Sequence, residues 1–225
     1  MITKKIKNDI RKIYRKIKIR YNKKVFCIGR NKTGTTSLGI FLSRLGIIVA
    51  KQWPAELLFC DVQNGDYSTL INYVKYNGQA FQDNPFSLNG TYKIMDKAFP
   101  KSKFILTIRD SPDQWYKSVT SFHSKLMGIN HVPTKEDLMN CNYVKKGWMW
   151  EVNRFLYTSP EHDIYNEEIL KKHYTDYNNE IIEYFKDRPK DLLIVNIKEE
   201  NAAIKICNFL GSRKKLFNMP WENKT

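Results

Sequence analysis

At 225 residues and 26.7 kDa, with 42% apolar and 13% aromatic residues, the chain can build one domain with a full core, and a second independent domain is not expected. Its mean hydropathy of −0.54 comes from abundant Lys and Asn rather than from a missing core, which excludes a chain disordered throughout. A formal net charge of +15, from 38 Lys and Arg against 23 Asp and Glu, favours anionic partners (nucleotides, anionic glycans, nucleic acid or membrane surfaces) without choosing among them, and a solvated lysine-rich surface would give the same number.

Residues 1–23 carry Ile6, Ile10, Ile13 and Ile17 at helical spacing on a basic segment. They predict an amphipathic helix whose stripe docks on the domain of residues 24–225, with membrane or nucleic-acid contact as the alternatives. The segment alternates bases with isoleucines instead of building an apolar signal core, and no stretch approaches the roughly 18 apolar residues of a membrane span. Cys27, Cys60, Cys141 and Cys207 lie far apart, with no CxxC pair and no His at metal-ligand spacing. Neither zinc nor a disulfide framework is expected, and a reducing, cytoplasmic compartment is the simplest setting.

Val25 to Ile28 reads as a short buried strand, broken by Gly29 and followed by a helical pattern from Thr35 to Leu45 that Gly46 caps. Residues 53–78 are helical in pattern, and a weaker strand is expected at Ala80 to Gln82. Phe104 to Ile108 and Leu192 to Ile197 are further apolar runs, each followed by helix-like sequence, Pro112 to Phe122 and Asn201 to Leu210. Residues 134–187 are again helical, including Glu167 to Asp187 ahead of Pro189. The alternation predicts a three-layer α/β domain on a mostly parallel sheet, with ligand beyond the carboxyl ends of the strands.

The first strand runs into Gly29-Arg30-Asn31-Lys32-Thr33-Gly34-Thr35-Thr36-Ser37 and then a helix, an anion cradle in sequence form. Gly34 permits a tight turn, backbone N–H groups and the helix dipole face the ligand, and the hydroxyls can cap the helix or reach ligand oxygens. Gly29 and Gly34 have the spacing of the Walker A loop, but Thr35 stands where that loop has Lys, and the lysine is at Lys32. A second anion motif follows the strand at Phe104 to Ile108: Arg109-Asp110-Ser111-Pro112, then Trp115-Tyr116-Lys117-Ser118. An Arg at a strand end and a Ser two turns into the next helix can clamp a phosphate between a guanidinium fork and a hydroxyl. Either Ser111 or Ser118 fits, with Ser118 preferred.

Lys32-Thr33-Gly34-Thr35-Thr36-Ser37 resembles the 5′-phosphosulfate loop of sulfotransferases that use 3′-phosphoadenosine 5′-phosphosulfate (PAPS), usually written P-K-S-G-T-T, with Asn31 for the proline and Thr33 for the serine. The Arg109 to Ser118 pair, nine positions apart, is similar to that family's 3′-phosphate motif, and L-L-I-V-N-I…F-L-G at Leu192 to Gly211 is similar to its closing strand and helix. The resemblance implies a P-loop-like sulfotransferase fold and a donor site of Arg30, Asn31, Lys32, Thr33, Gly34, Thr35, Thr36, Ser37, Arg109 and Ser118. It further implies Lys32 at the bridging oxygen of the donor, no metal, and transfer to a hydroxyl or amine on a glycan or small hydroxylated molecule; no nucleic-acid partner is expected, since the sequence carries no recognisable nucleic-acid module. Asp83, in Gln82-Asp83-Asn84-Pro85, stands where the cytosolic enzymes carry a catalytic His before x-Pro; it is the candidate general base, with capping of the Asn-Pro turn as its structural alternative and His123 as the second candidate base. The competing functions are a P-loop kinase, which would need Lys after Gly34 and a strand-end Asp for Mg²⁺, and a basic polyanion-binding protein without catalysis.

Overall fold

The computed structural model describes residues 2–21 and 23–220. Four strands, β1 (Val25–Cys27), β2 (Ala80–Gln82), β3 (Lys103–Thr107) and β4 (Leu192–Val195), form one all-parallel sheet in the order β2-β1-β3-β4. The central strands are covered on both faces, which is why they read in the sequence as continuous apolar runs rather than alternating ones. Register places Phe26 of β1 between Phe81 of β2 and Phe104 of β3, and the three rings stack across the sheet at 5.6 and 5.3 Å.

Side chains alternate between the two faces. Phe26, Phe81, Phe104 and Leu106 face one core, built with α5 (Ser68–Asn77), α6 (Thr91–Ala98), α7 (Pro112–Met127), α9 (Trp148–Leu156) and α10 (Glu167–Tyr184). Val25, Cys27, Ile105 and Val195 face the other, covered by Leu38, Phe41 and Leu42 of α2 (Thr35–Arg44) and by Ala203, Ile206 and Cys207 of α11 (Ala202–Phe209). This is the expected three-layer α/β architecture. Short helices α3 (Gln52–Glu56), α4 (Phe59–Gln63) and α8 (Lys135–Asn140) complete the helical segments read at 53–78 and 134–187.

Several boundaries move. Ile28, Ile108 and Ile197 lie beyond the ends of their strands; Ile28 and Ile108 still donate to the Ile105 and Val195 carbonyls, and the chain then leaves the sheet for the carboxyl-edge loops. Helix α7 continues to Met127 and stops at Gly128, whose φ of 71° ends it in the left-handed conformation. Helix α6 was not anticipated; it begins after Gly90 (φ 73°) and is strongly amphipathic. All four cysteines are free, with Cys27 and Cys207 buried.

Residues Ile2–Tyr21 form helix α1, whose isoleucine stripe does not dock on the domain: Ile6, Ile10, Ile13 and Ile17 are all more than half exposed, and Ile19 is buried instead. No helix among the described residues is long and apolar enough to cross a membrane.

Candidate active site

Sheet order 2-1-3-4 makes the carboxyl ends of β1 and β3 the topological switch point, where the connections leaving the two strands diverge and open a crevice. The loop after β1 and the turn after β3 both enter it. Their approach is close: a Cβ on Gly29 would lie 2.1 Å from Thr107 Oγ1 and 2.5 Å from the Thr107 carbonyl. At the far end of the loop Gly34 caps α2 with φ 101°, and a Cβ there would lie 2.2 Å from Ile197 Cδ1 in the turn after β4. Gly34 is thus fixed by conformation and by contact, and it sets the first turn of α2 at the crevice.

Thr35, Thr36, Ser37, Asn31, Lys32 and Arg109 line one cavity of about 160 Å³. Lys32 occupies the left-handed region (φ 64°), and its ammonium lies over the Phe122 ring, 3.7 Å from the centroid. Burial, followed by the Arg109 charge, lowers its pKa to about 8. Arg109 reaches back to the loop: its Nε–H donates to the Lys32 carbonyl at 2.6 Å, and one terminal nitrogen lies 3.4 Å from Ser118 Oγ. The Arg109 backbone is itself held by the Tyr174 hydroxyl, which accepts its N–H at 2.9 Å. Ser111, the alternative partner, is spent as the N-cap of α7, accepting from the Gln114 N–H at 3.1 Å. Arg109, Ser118 and Lys32 therefore come together although two of them lie far along the chain from the third.

Two of the loop residues turn elsewhere. The Arg30 side chain is buried beneath the loop, its guanidinium stacked 3.6 Å from the Tyr177 ring centroid and donating to the Ser87 carbonyl and Asn89 Oδ1. The Thr33 hydroxyl points into the fold, bonded to the Arg30 carbonyl at 2.5 Å and Thr107 Oγ1 at 2.6 Å. Both side chains brace the loop from behind, so only their backbone faces remain for a ligand. Adjacent residues of a tight loop project to opposite sides, a fact the linear motif does not carry.

A second cavity, of about 90 Å³, adjoins the first and shares Asn31, Gln52, Asp83, Phe122 and Tyr143 with it. Beyond these shared residues its walls are mostly apolar, with Trp148, Met149, Val152, Leu156 and Tyr157 prominent. Asp83 sits at the junction. It adopts φ 56° just before the cis Asn84–Pro85 bond; its Oδ1 accepts from the Asn84 N–H at 2.9 Å and its Oδ2 from the Thr35 hydroxyl at 3.4 Å. Asp83 therefore caps its own turn and also faces both cavities. Burial raises its pKa, against smaller opposing effects from these bonds and from Lys32.

His123 lines the apolar cavity, but both ring nitrogens are engaged. Nε2 faces the Asn31 amide nitrogen at 3.4 Å, and because that nitrogen only donates, Nδ1–H is left to donate to the Tyr165 hydroxyl at 2.6 Å. Burial and the nearby Lys32 charge lower its pKa to about 4, so it is neutral with its lone pair occupied.

Sequence reasoning missed Glu56, Phe122 and Tyr143. Glu56 Oε1 accepts from Gln52 Nε2 at 2.8 Å and from the Tyr143 hydroxyl at 3.4 Å, and burial beside Asp83 raises its pKa to about 7. No local pattern marks these residues, because they reach the site from α3, α7 and the segment before α9. Trp148 lines the cavity, while Trp53 is exposed and outside it.

Together these features define an α/β domain of P-loop-like form, with a cationic anion cradle at its switch point and an apolar chamber beside it. A family model described as a sulfotransferase domain matches residues 24–225, and the chain belongs to the sulfotransferase family. No curated protein matches it.

Proposed function

We propose that the protein transfers a sulfuryl group from PAPS to a hydroxyl carried on a compact, largely apolar acceptor. The observation that carries this reading is the junction of the two cavities: the cationic one holds Lys32, Arg109 and the start of α2, the other has apolar walls, and Asp83 stands where they meet. The donor set fits a nucleotide with phosphates at both ends. Lys32 and the first turn of α2 serve one end, and Arg109 with Ser118 serves the other. PAPS, when bound, supplies the sulfuryl group on a phosphate leaving group.

Transfer of this kind accumulates charge on the departing oxygen, so catalysis rests on positioning and electrostatics. The Lys32 ammonium neutralises that charge, and the Arg109 bond to its carbonyl keeps the left-handed loop conformation that aims it. Asp83 takes the acceptor's proton; its raised pKa makes it a better base than an exposed carboxylate. Phe122, Trp148, Met149 and Leu156 give the chamber an apolar side that suits an aromatic or alicyclic acceptor, while Glu56, Asn84, Ser87 and Asn153 on its other walls can orient a polar group of that acceptor. The kinase alternative lacks support from residue types: Thr35 replaces the Walker lysine, and strand-end Asp110 is engaged by Gln114 Nε2 at 2.8 Å and by Asn196.

Thermal-shift titration with adenosine 3′,5′-bisphosphate beside Mg·ATP tests the donor assignment, since a ligand at 100 times its Kd adds about 2.7 kcal/mol to native stability. A shift with the bisphosphate that is lost in Lys32→Ala supports it; a shift with Mg·ATP alone favours the kinase reading.

A further inference from the structure

Helix α1 carries an apolar stripe that nothing in the described fold covers. Ile6, Ile10, Ile13 and Ile17 recur at steps of four and three residues, which aligns them on one face, and together with Tyr14 they are 51–66% exposed. Ile19 is buried and follows Ile10 by nine residues, two and a half turns at about 3.6 residues per turn, so it projects from the opposite side. The helix is fastened by the back of its last turns. Ile19 packs inward, Lys18 Nζ donates to the Gly46 carbonyl at 2.6 Å, and the buried Lys24 ammonium donates to the carbonyls of Ile19 at 2.7 Å and Gly78 at 2.9 Å. The stripe faces away from the domain.

Charge selects what covers it. Across residues 6–20 the helix carries Lys7, Arg11, Lys12, Arg15, Lys16, Lys18 and Arg20 against the single acid Asp9. Two copies paired along their stripes would bring two such cationic segments together with almost nothing to offset them. A nucleic acid would use the charge and leave the isoleucines in water. An anionic lipid surface satisfies both halves: apolar side chains enter the boundary between headgroups and acyl chains, while flanking Lys and Arg stay at phosphate level with their stems along the apolar layer.

We propose that α1 is an interfacial helix that seats the domain on anionic bilayer surfaces, isoleucine stripe inserted and basic flanks on the headgroups. Docking there leaves the crevice open, because α1 leads into the amino end of β1 whereas both cavities lie at the carboxyl edge of the sheet. The inference stands independently of the reaction assigned to that edge.

Co-sedimentation of the full chain with phosphatidylcholine vesicles, with and without phosphatidylserine as roughly a third of the lipid, tests it. Partitioning at least about tenfold stronger on the anionic vesicles is expected. The double variant Ile10→Ser/Ile13→Ser removes apolar surface without changing charge; it is expected to lose about tenfold of that partitioning with its unfolding midpoint unchanged, since both sites are exposed. Equal binding to both vesicle types overturns the proposal, as does anionic binding that survives in the double variant. Tighter binding to duplex RNA than to the anionic vesicles, or a solution dimer that the double variant dissolves, would assign the stripe to another partner and overturn it too.

Discussion

Replacing Arg109 with alanine isolates the second anion site. The guanidinium commits its Nε to the Lys32 carbonyl and leaves its terminal nitrogens, one of them 3.4 Å from Ser118 Oγ, for a ligand phosphate. A hydrogen bond to a charged group contributes about 1.5–3 kcal/mol, which is roughly a 10- to 150-fold change in Kd. Loss of the brace on Lys32 also loosens the loop, so affinity for any nucleotide should drop somewhat. The informative quantity is therefore a ratio. Calorimetric titration of wild type and Arg109→Ala with adenosine 3′,5′-bisphosphate and with adenosine 5′-monophosphate gives the value of the 3′-phosphate in each protein. In the wild type the bisphosphate is expected to bind at least about tenfold tighter than the monophosphate, and in the variant that preference should fall to near one. A preference unchanged in Arg109→Ala would refute the assignment, because the 3′-phosphate would then be held elsewhere.

Four further outcomes follow from the same geometry. Asp83→Asn keeps a residue type that tolerates φ 56° and an oxygen for the Asn84 N–H, so the turn should survive while sulfuryl transfer falls about 10²- to 10⁴-fold with bisphosphate affinity unchanged, as steady-state kinetics and calorimetry would register. Gly34→Ala combines a left-handed backbone with a Cβ 2.2 Å from Ile197 Cδ1 and should cost about 1–3 kcal/mol in urea unfolding; Ile197→Ala in the same chain should recover part of that cost. Lys32 binds as the ammonium and its pKa lies at about 8, so bisphosphate affinity should fall as pH rises through about 8, and Lys32→Met should flatten that profile. His123 has a pKa of about 4 in the fold against about 6.5 unfolded, so the unfolded chain binds more protons between them; stability is fully present above about 6.5 and is lost as pH falls toward 4, by up to about 3 kcal/mol, which His123→Gln should remove from the pH dependence of unfolding.

What the sequence makes legible is whatever is encoded locally. Strands β1 and β3 are buried on both faces, so they stand out as apolar runs, and the residues that follow them carry the loop and Arg109; β4 is an apolar run too, although at the sheet edge only its Val195 is buried. The spacing from Arg109 to Ser118 is likewise local, two turns along α7. Helix α6 escaped because it lies among turn-forming residues, with Asn89-Gly90 before it and Pro100 shortly after, and it is short. Arg30 illustrates the opposite failure: beside Asn31 and Lys32 it reads as an anion ligand, yet burial against Tyr177 of α10 decides its direction. The apolar chamber was illegible for the same reason, since Glu56, Phe122, Tyr143 and Trp148 meet only through tertiary packing. The isoleucine stripe of α1 was visible, but which way it faces depends on where Ile19 and Lys24 fasten the helix.

The most direct test of the account is to follow the label from [³⁵S]PAPS when the protein is incubated with a panel of compact phenols and alicyclic alcohols. Label is expected on at least one hydroxylated acceptor with the wild-type chain and none above background with Lys32→Met. Label that stays on the nucleotide across the panel, or that transfers as well in Lys32→Met, would contradict it.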